Sequence, residues 1–75
     1  MYQPIAINVC FADAAMRPTL ADGRVVPVPL ERLPRLRDAS PRQRAHWRLT
    51  GRGEGIHWRD VDEDVSVRGL LGLSS

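Results

Sequence analysis

Residues 5–28 have the sequence IAINVCFADAAMRPTLADGRVVPV, and this stretch determines the predicted fold class. At its start, apolar residues alternate with small or polar ones; the apolar set is Ile5, Ile7, Val9 and Phe11. An apolar period of two is typical of a strand that is buried on one face. Residues 16–20 and 24–28 are two further strand candidates. The stretch therefore predicts a three-stranded antiparallel meander.

Turn residues and prolines constrain this meander. The pair Asp22-Gly23 lies between apolar alternations, where it favours a tight type I′ hairpin because glycine tolerates a positive φ. Residues 13–15 are a second short turn candidate. Pro18 and Pro27 lack a backbone N–H donor, so each is expected at an edge, at a bulge or at the end of a strand.

Short helical segments are predicted after the meander. Leu30, Leu33 and Leu36 have the i, i+3, i+6 spacing of one helical face. Pro34 interrupts that face, since a proline removes a backbone hydrogen bond and clashes with the preceding turn. Residues 30–37 are therefore expected to form one or two irregular turns.

A clearer helix start lies at Ser40. Its side chain can cap the helix, Pro41 occupies the first helical position, and Gln43 completes a capping box. The helix is expected to run to about residue 47 or 48. Residues 46–50 suit the start of a strand equally well, so the sequence leaves this boundary open.

The last third of the chain predicts a loop, a strand and a helix. Three glycines within residues 51–55 indicate a loop, residues 56–58 are a short strand candidate, and residues 65–71 suit a final helix ended by Gly72. The complete pattern predicts a single α+β domain over residues 1–75. A small antiparallel sheet from the N-terminal meander would carry two or three short helices.

Composition argues against several classes of protein. The chain has 75 residues, 11 Lys plus Arg against 9 Asp plus Glu, a formal net charge of +2 and one cysteine. A domain of this size has little material to wall a deep cleft, which argues against an enzyme. One cysteine forms no internal disulfide, no segment is apolar enough to span a membrane, and the N-terminus lacks the features of a secretion signal. We therefore expect a cytoplasmic protein without catalytic activity.

Charge is unevenly distributed along the chain. Residues 17–59 contain ten arginines and four acidic residues, whereas residues 60–64 contain four acidic residues and no basic one. Guanidinium groups bind carboxylates and phosphates bidentately, so a basic face on adjacent short helices could hold either. The predicted partner-binding residues, with residues 51–58 at their rim, are Arg32, Arg35, Arg37, Arg42, Arg44, Trp47 and Arg48. The alternative is a solvated face that the acidic run neutralises.

Candidates for catalysis or metal binding are few. They are His46, His57, Cys10 and the acidic run, and no pair has a ligand spacing such as His-x₃-His or Cys-x₂-Cys. No serine or cysteine lies in a recognisable nucleophile motif. The sequence therefore predicts no catalytic residue, no metal site and no cofactor. Both tryptophans, Trp47 and Trp58, are expected mainly in the core, because large aromatic side chains supply much of the buried area.

Short motifs are spread along nearly the whole chain. They are LADGR at residues 20–24, PVPL at 27–30, PRL at 34–36, GEGIHW at 53–58, DEDV at 62–65 and GLL at 69–71, with Ala39, Arg44 and Trp47 between them. Together they resemble a bacterial family known as domain of unknown function 2442. The Gly-Ile-His-Trp segment followed by Asp-Glu-Asp and Gly-Leu-Leu is a fairly specific combination. Arg59 stands where relatives commonly have proline.

The resemblance implies a small α+β domain, which in some relatives is fused to a helix-turn-helix region. Other relatives are encoded beside a small toxin-like protein. It implies no catalytic residues. We therefore expect a non-catalytic interaction protein, with an antitoxin-like role, that binds a small toxin-like protein. The alternative is weak nucleic-acid binding through the arginine-rich face. No membrane partner is predicted, and the oligomeric state stays open.

Overall fold

Each half of the chain forms one three-stranded antiparallel sheet. The structure, a computed structural model, describes residues 4–73. The strands are β1 (Ala6–Ala12), β2 (Ala15–Leu20), β3 (Val28–Pro29), β4 (Trp47–Thr50), β5 (Gly55–Trp58) and β6 (Glu63–Ser66). The sheet orders are β1-β2-β3 and β4-β5-β6. A 3₁₀ turn precedes three short helices: Leu30–Arg32, then α1 (Pro34–Arg37), α2 (Pro41–Ala45) and α3 (Val67–Leu73). The predicted α+β class is confirmed, with a second sheet that the sequence did not predict.

The β1–β2 hairpin contains the type I′ turn of the first sheet. Ala12 and Ala15 are paired across the two strands, so only Asp13 and Ala14 lie in the loop. Both have a positive φ, 54° and 60°, as a type I′ turn requires. Two non-glycine residues adopt this geometry because the twist of a type I′ turn matches the right-handed twist of the two strands that it connects.

The type I′ turn predicted for Asp22-Gly23 is wrong. Gly23 has a positive φ of 93°, but Asp22 does not. The N–H of Leu20 donates to the carbonyl of Arg24 at 2.7 Å, which closes a loop over residues 21–23. A three-residue loop that ends on a left-handed glycine is the next most common hairpin connection, so the glycine still serves the predicted turn.

A β-bulge in β1 turns Ile7 toward solvent. The pairing of β1 with β2 shifts register between Ala6 and Asn8. Ala6 is therefore buried, with 1% of its surface exposed, whereas Ile7 is 56% exposed. The strict alternation predicted that Ile7 shares a buried face with Val9, and this is wrong. One extra residue in a strand reverses which side chains face the core.

Pro18 lies in the central strand β2, not at an edge. Its carbonyl accepts a hydrogen bond from the N–H of Val26 at 3.0 Å. In a strand, the nitrogen and the carbonyl of one residue point to the same side, so the Pro18 nitrogen, which carries no hydrogen, also faces the irregular start of the third strand. There an isolated bridge joins Thr19 to Val25, and Pro27 separates this bridge from β3. The ladder that Pro18 would have completed is already interrupted, which is why a central strand tolerates it.

Helix α2 begins as predicted. The N–H of Gln43 donates to Oγ of Ser40 at 3.1 Å, and the N–H of Ser40 donates to Oε1 of Gln43 at 2.9 Å. Pro41 occupies the first turn. The helix ends at Ala45, earlier than predicted, and β4 begins at Trp47, so the strand alternative for this segment is the right one.

The second sheet includes a strand where the sequence predicted none. Strand β6 lies at the end of the acidic run and the start of the predicted helix. Helix α3 consequently starts at Val67 and continues through Gly72, which does not end it as predicted. No helix within residues 4–73 has the length and apolar character needed to cross a bilayer.

One hydrophobic core joins the two sheets. The largest fully buried side chains come from both sheets and from α1 and α3; they are Trp58, Met16, Leu20, Leu36, Ile56, Leu70, Val28, Val67 and Pro18. The N–H of Ala6 donates to the carbonyl of Gly53 at 2.8 Å and ties the start of β1 to the β4–β5 turn. Trp58 is buried as predicted, whereas Trp47 is only partly buried and packs against the core.

Candidate binding surface around Trp47

The predicted arginine set does not form one free face, because some members bind within the fold. Nη1 of Arg35 donates to the carbonyls of Val61 and Asp62 at 3.4 and 3.3 Å. Nε and Nη2 of Arg37 donate to the carboxylate of Asp38 at 3.0 and 3.3 Å. This hydrogen bond and charge pairing lowers the pKa of Asp38 and raises the pKa of Arg37. Both partners are exposed, so the pair contributes little to stability.

Arg44 supports helix α1. Its Nε donates to the carbonyl of Leu36 and its Nη2 to the carbonyl of Arg37, both at 2.7 Å. Carbonyls in the last turn of a helix have no partner within the helix. The Arg37 carbonyl gains one from Arg44, and the Leu36 carbonyl gains a second beside the N–H of Ala39. The guanidinium carbon also lies 5.8 Å from the centre of the Phe11 ring.

Arg44→Ala is expected to lower the free energy of unfolding by about 2–3 kcal/mol, since two hydrogen bonds from a charged donor are lost. Arg42→Ala on the same helix is the matched control. Arg42 is exposed and has no hydrogen-bond or ion-pair partner within residues 4–73, so its loss should change stability by less than about 0.5 kcal/mol. Urea denaturation followed by circular dichroism measures both. Equal midpoints for the two variants would contradict the role assigned to Arg44.

Three of the predicted arginines keep an exposed guanidinium: Arg32, Arg42 and Arg48. None of them forms a hydrogen bond or an ion pair with another part of the described chain. Within residues 4–73, no carboxylate of the acidic run forms an ion pair with them, and Asp60 and Asp64 contact histidines instead.

Trp47 lies between two depressions in the surface. The smaller one, of about 460 Å³, is mainly apolar and lies between β1 and α2. Its lining residues are Val9, Cys10, Phe11, Pro41, Arg44, Ala45 and Trp47. We call it the apolar depression. Because Trp47 belongs to the edge strand β4, part of its indole is not covered by a neighbouring strand.

The larger depression, of about 860 Å³, is lined mainly by charged and histidine residues and lies on the outer face of the second sheet. Its lining residues are His46, Trp47, Arg48, His57, Arg59 and Asp60. We call it the polar depression. The sequence predicted Trp47 and Arg48 here and placed His57 within the rim segment 51–58, but it did not single out His46 or Arg59. A signal was present, because the tripeptide His-Trp-Arg occurs at residues 46–48 and again at 57–59.

Each histidine on this face contacts a carboxylate. Nδ1 of His46 lies 2.8 Å from Oδ2 of Asp60, and Nδ1 of His57 lies 3.2 Å from Oδ1 of Asp64. A carboxylate on Nδ1 fixes the orientation of the ring and leaves Nε2 for a ligand. Across residues 4–73, no three or more His, Cys, Asp or Glu side chains are grouped in a way that could hold a metal ion.

The fold defines a small α+β domain of two antiparallel sheets, with its candidate binding surface around one partly buried tryptophan. Residues 6–74 match the model of the family described as protein of unknown function (DUF2442), and the chain belongs to this family. The resemblance drawn from the sequence motifs is thereby confirmed. The chain is similar to the crystal structure of a protein of unknown function from Rhodospirillum rubrum, with 27% identity and a TM-score of 0.82. The match covers 99% of this chain and 93% of that one. No curated protein matches the sequence.

Proposed function

We propose that this protein is a non-catalytic interaction protein that binds a partner protein in the apolar depression. The observation that carries the proposal is the position of Trp47, which packs on the core with one side and borders the apolar side chains of Phe11 and Ala45 with the other. Tryptophan and arginine are the residues most enriched among those that dominate binding energy in interfaces. A tryptophan already held by the core loses little further conformational freedom on binding.

Charge at the rim of the apolar depression supports an acidic partner. Arg42 is exposed on α2, the helix that lines the depression. Exposed guanidinium groups at a rim accelerate association with a partner of opposite charge. The partner segment is therefore proposed to insert an apolar side chain and to carry carboxylates beside it.

The family resemblance supplies the class of partner. Some relatives are encoded beside a small toxin-like protein, and we extend this to an antitoxin-like role for the present chain in the cytoplasm. A cytoplasmic setting agrees with the single exposed thiol of Cys10, which has no second cysteine to pair with.

Affinity capture from a nuclease-treated native lysate tests this proposal. The tagged wild-type chain is compared with Trp47→Ala, Ala45→Glu and Arg68→Glu, and retained proteins are quantified by mass spectrometry. Ala45 is exposed at the end of α2, so a glutamate there fills the depression without disturbing the core. Arg68 is exposed on α3 and controls for charge reversal elsewhere. We expect the wild-type chain to capture one protein in near-stoichiometric amount. Trp47→Ala and Ala45→Glu should lower the recovered amount of that protein at least ~10-fold, whereas Arg68→Glu should leave it unchanged.

Retention of that protein by both depression variants would show that the partner uses another surface. Ala45→Glu is decisive if Trp47→Ala loses stability, because its site is an exposed helix end. Thermal denaturation of each variant separates loss of binding from loss of fold.

Weak nucleic-acid binding is the second candidate function. The observation that favours it is the pair of exposed arginines, Arg48 and Arg59, that line the polar depression. Binding through phosphates releases counterions, so the affinity would fall steeply with salt. Retained capture of the partner at ~0.5 M salt would favour the protein interface instead.

A further inference from the structure

A repeated tripeptide forms part of the outer face of the second sheet. His-Trp-Arg occupies residues 46–48 and 57–59. Strands β4 and β5 pair antiparallel with Trp47 directly opposite Trp58. The two copies of the tripeptide are therefore related by an approximate two-fold axis that passes between the tryptophans.

This local symmetry places a histidine opposite an arginine twice. Arg48 pairs with His57 in the sheet register. The same register, continued by one residue, places His46 opposite Arg59. All four side chains line the polar depression. We call these four residues the His/Arg quartet.

The two arginines of the quartet are available to a ligand. The guanidinium groups of Arg48 and Arg59 have no hydrogen-bond or ion-pair partner within residues 4–73. The nearby carboxylates of Asp60 and Asp64 contact Nδ1 of the two histidines instead. Other arginines of the chain, such as Arg37 and Arg44, are held by carboxylates or carbonyls.

The chemistry of the quartet matches a phosphate group. Guanidinium donors form paired hydrogen bonds to phosphate oxygens. A doubly protonated imidazole whose Nδ1–H donates to a carboxylate still has an Nε2–H to donate to an anion. We propose that the His/Arg quartet binds a phosphate group, carried either by a free nucleotide or by a single strand of nucleic acid.

The proposal does not rest on the partner protein. Partner binding concerns the apolar depression between β1 and α2, whereas the quartet lies on the outer face of β4 and β5. Variants of the quartet leave Ala45 and the apolar depression unchanged, so partner binding and phosphate binding can fail separately. The quartet proposal rests on the second candidate function, which uses the same Arg48 and Arg59.

Titration of the isotope-labelled full chain with inorganic phosphate, at constant ionic strength and followed by NMR, tests the site. We expect saturable shifts of the His46 and His57 ring signals. The double variant Arg48→Gln/Arg59→Gln should weaken the affinity at least ~10-fold, because both guanidinium contacts are lost. The control Arg52→Gln/Arg68→Gln removes the same charge from two exposed arginines outside the depression and should leave the affinity unchanged.

Two further probes identify the source of the phosphate. Uridine 5′-monophosphate and a single-stranded uridine hexanucleotide are titrated in the same way. Hexanucleotide binding that is at least ~10-fold tighter than binding of the monophosphate assigns the site to single-stranded nucleic acid, since a strand offers several phosphates and bases. Equal or tighter binding of the monophosphate assigns it to a free nucleotide.

Three results would overturn the proposal. The first is that none of the phosphate probes binds saturably. The second is equal weakening by the quartet double variant and the control double variant. The third is that a hexaglutamate peptide shifts the quartet signals as strongly as the phosphate probes, which would assign the face to carboxylates.

Discussion

Trp58→Ala is expected to unfold about half of the protein or more at 25 °C. The indole of Trp58 is completely buried in the central strand of the second sheet. Its Nε1–H donates to the carbonyl of Arg44 at 3.0 Å, and its ring meets Phe11 edge to face at 6.3 Å. Replacing a buried tryptophan by alanine costs about 3–5 kcal/mol, which equals the net stability that a core of this size usually provides, roughly 3–5 kcal/mol.

Circular dichroism and urea denaturation measure this effect. Trp58→Phe keeps most of the apolar volume but removes the donor to Arg44, so a loss of about 1–2 kcal/mol is expected. Trp47→Phe is the matched control on the opposite strand, where the side chain is only partly buried, and it should cost less than Trp58→Phe. If Trp58→Ala had the same urea midpoint as the wild type, the stability of the second sheet would not depend on this side chain.

Gly53→Ala is expected to destabilise the protein by about 3–5 kcal/mol, through backbone strain and steric overlap together. Gly53 has a φ of 95°, which side chains rarely adopt. A Cβ atom there would overlap the carbonyl oxygen of Ala6 and lie 2.5 Å from Cγ2 of Ile5. Because the Gly53 carbonyl also accepts the Ala6 N–H, the substitution pushes apart the contact that joins the two sheets.

Gly23→Ala separates the two contributions. Gly23 has nearly the same φ, 93°, but a Cβ atom there would meet nothing within 4 Å. Its substitution should therefore cost only the strain of about 1–2 kcal/mol. Urea denaturation of both variants gives the steric contribution by difference. If Gly53→Ala cost no more than Gly23→Ala, the close approach of the two sheets at this point would be disproved.

Local interactions made part of the fold predictable from sequence. The capping box of Ser40 and Gln43 depends only on residues three apart, so the start of α2 could be located before any tertiary contact was known. The first strand and the irregular turns over residues 30–37 were also visible, because apolar spacing and proline act locally.

The remainder of the fold depends on contacts between distant residues. The bulge that turns Ile7 outward is set by the pairing of β1 with β2. The alternation of apolar and polar residues in β1 gives no sign of it. Strand β6 begins in an acidic run of low intrinsic strand preference, and it forms because β5 offers it a partner edge. Tertiary pairing overrode local preference at both places.

The candidate site was predictable in composition but not in arrangement. The sequence indicated that arginines and Trp47 matter, yet it could not show that Arg44 binds carbonyls of α1, since that contact needs the helices to be packed. The two His-Trp-Arg tripeptides can be found in the sequence alone. Only the antiparallel register makes them neighbours on one face.

Binding of the recovered partner to the purified chain tests the central claim most directly. Isothermal titration would compare wild type with Ala45→Glu, and wild type at low salt with wild type at ~0.5 M salt. We predict that Ala45→Glu raises the Kd at least ~30-fold, because it fills the apolar depression, while salt raises the wild-type Kd less than ~10-fold. An unchanged Kd for Ala45→Glu would contradict a protein-binding site beside Trp47.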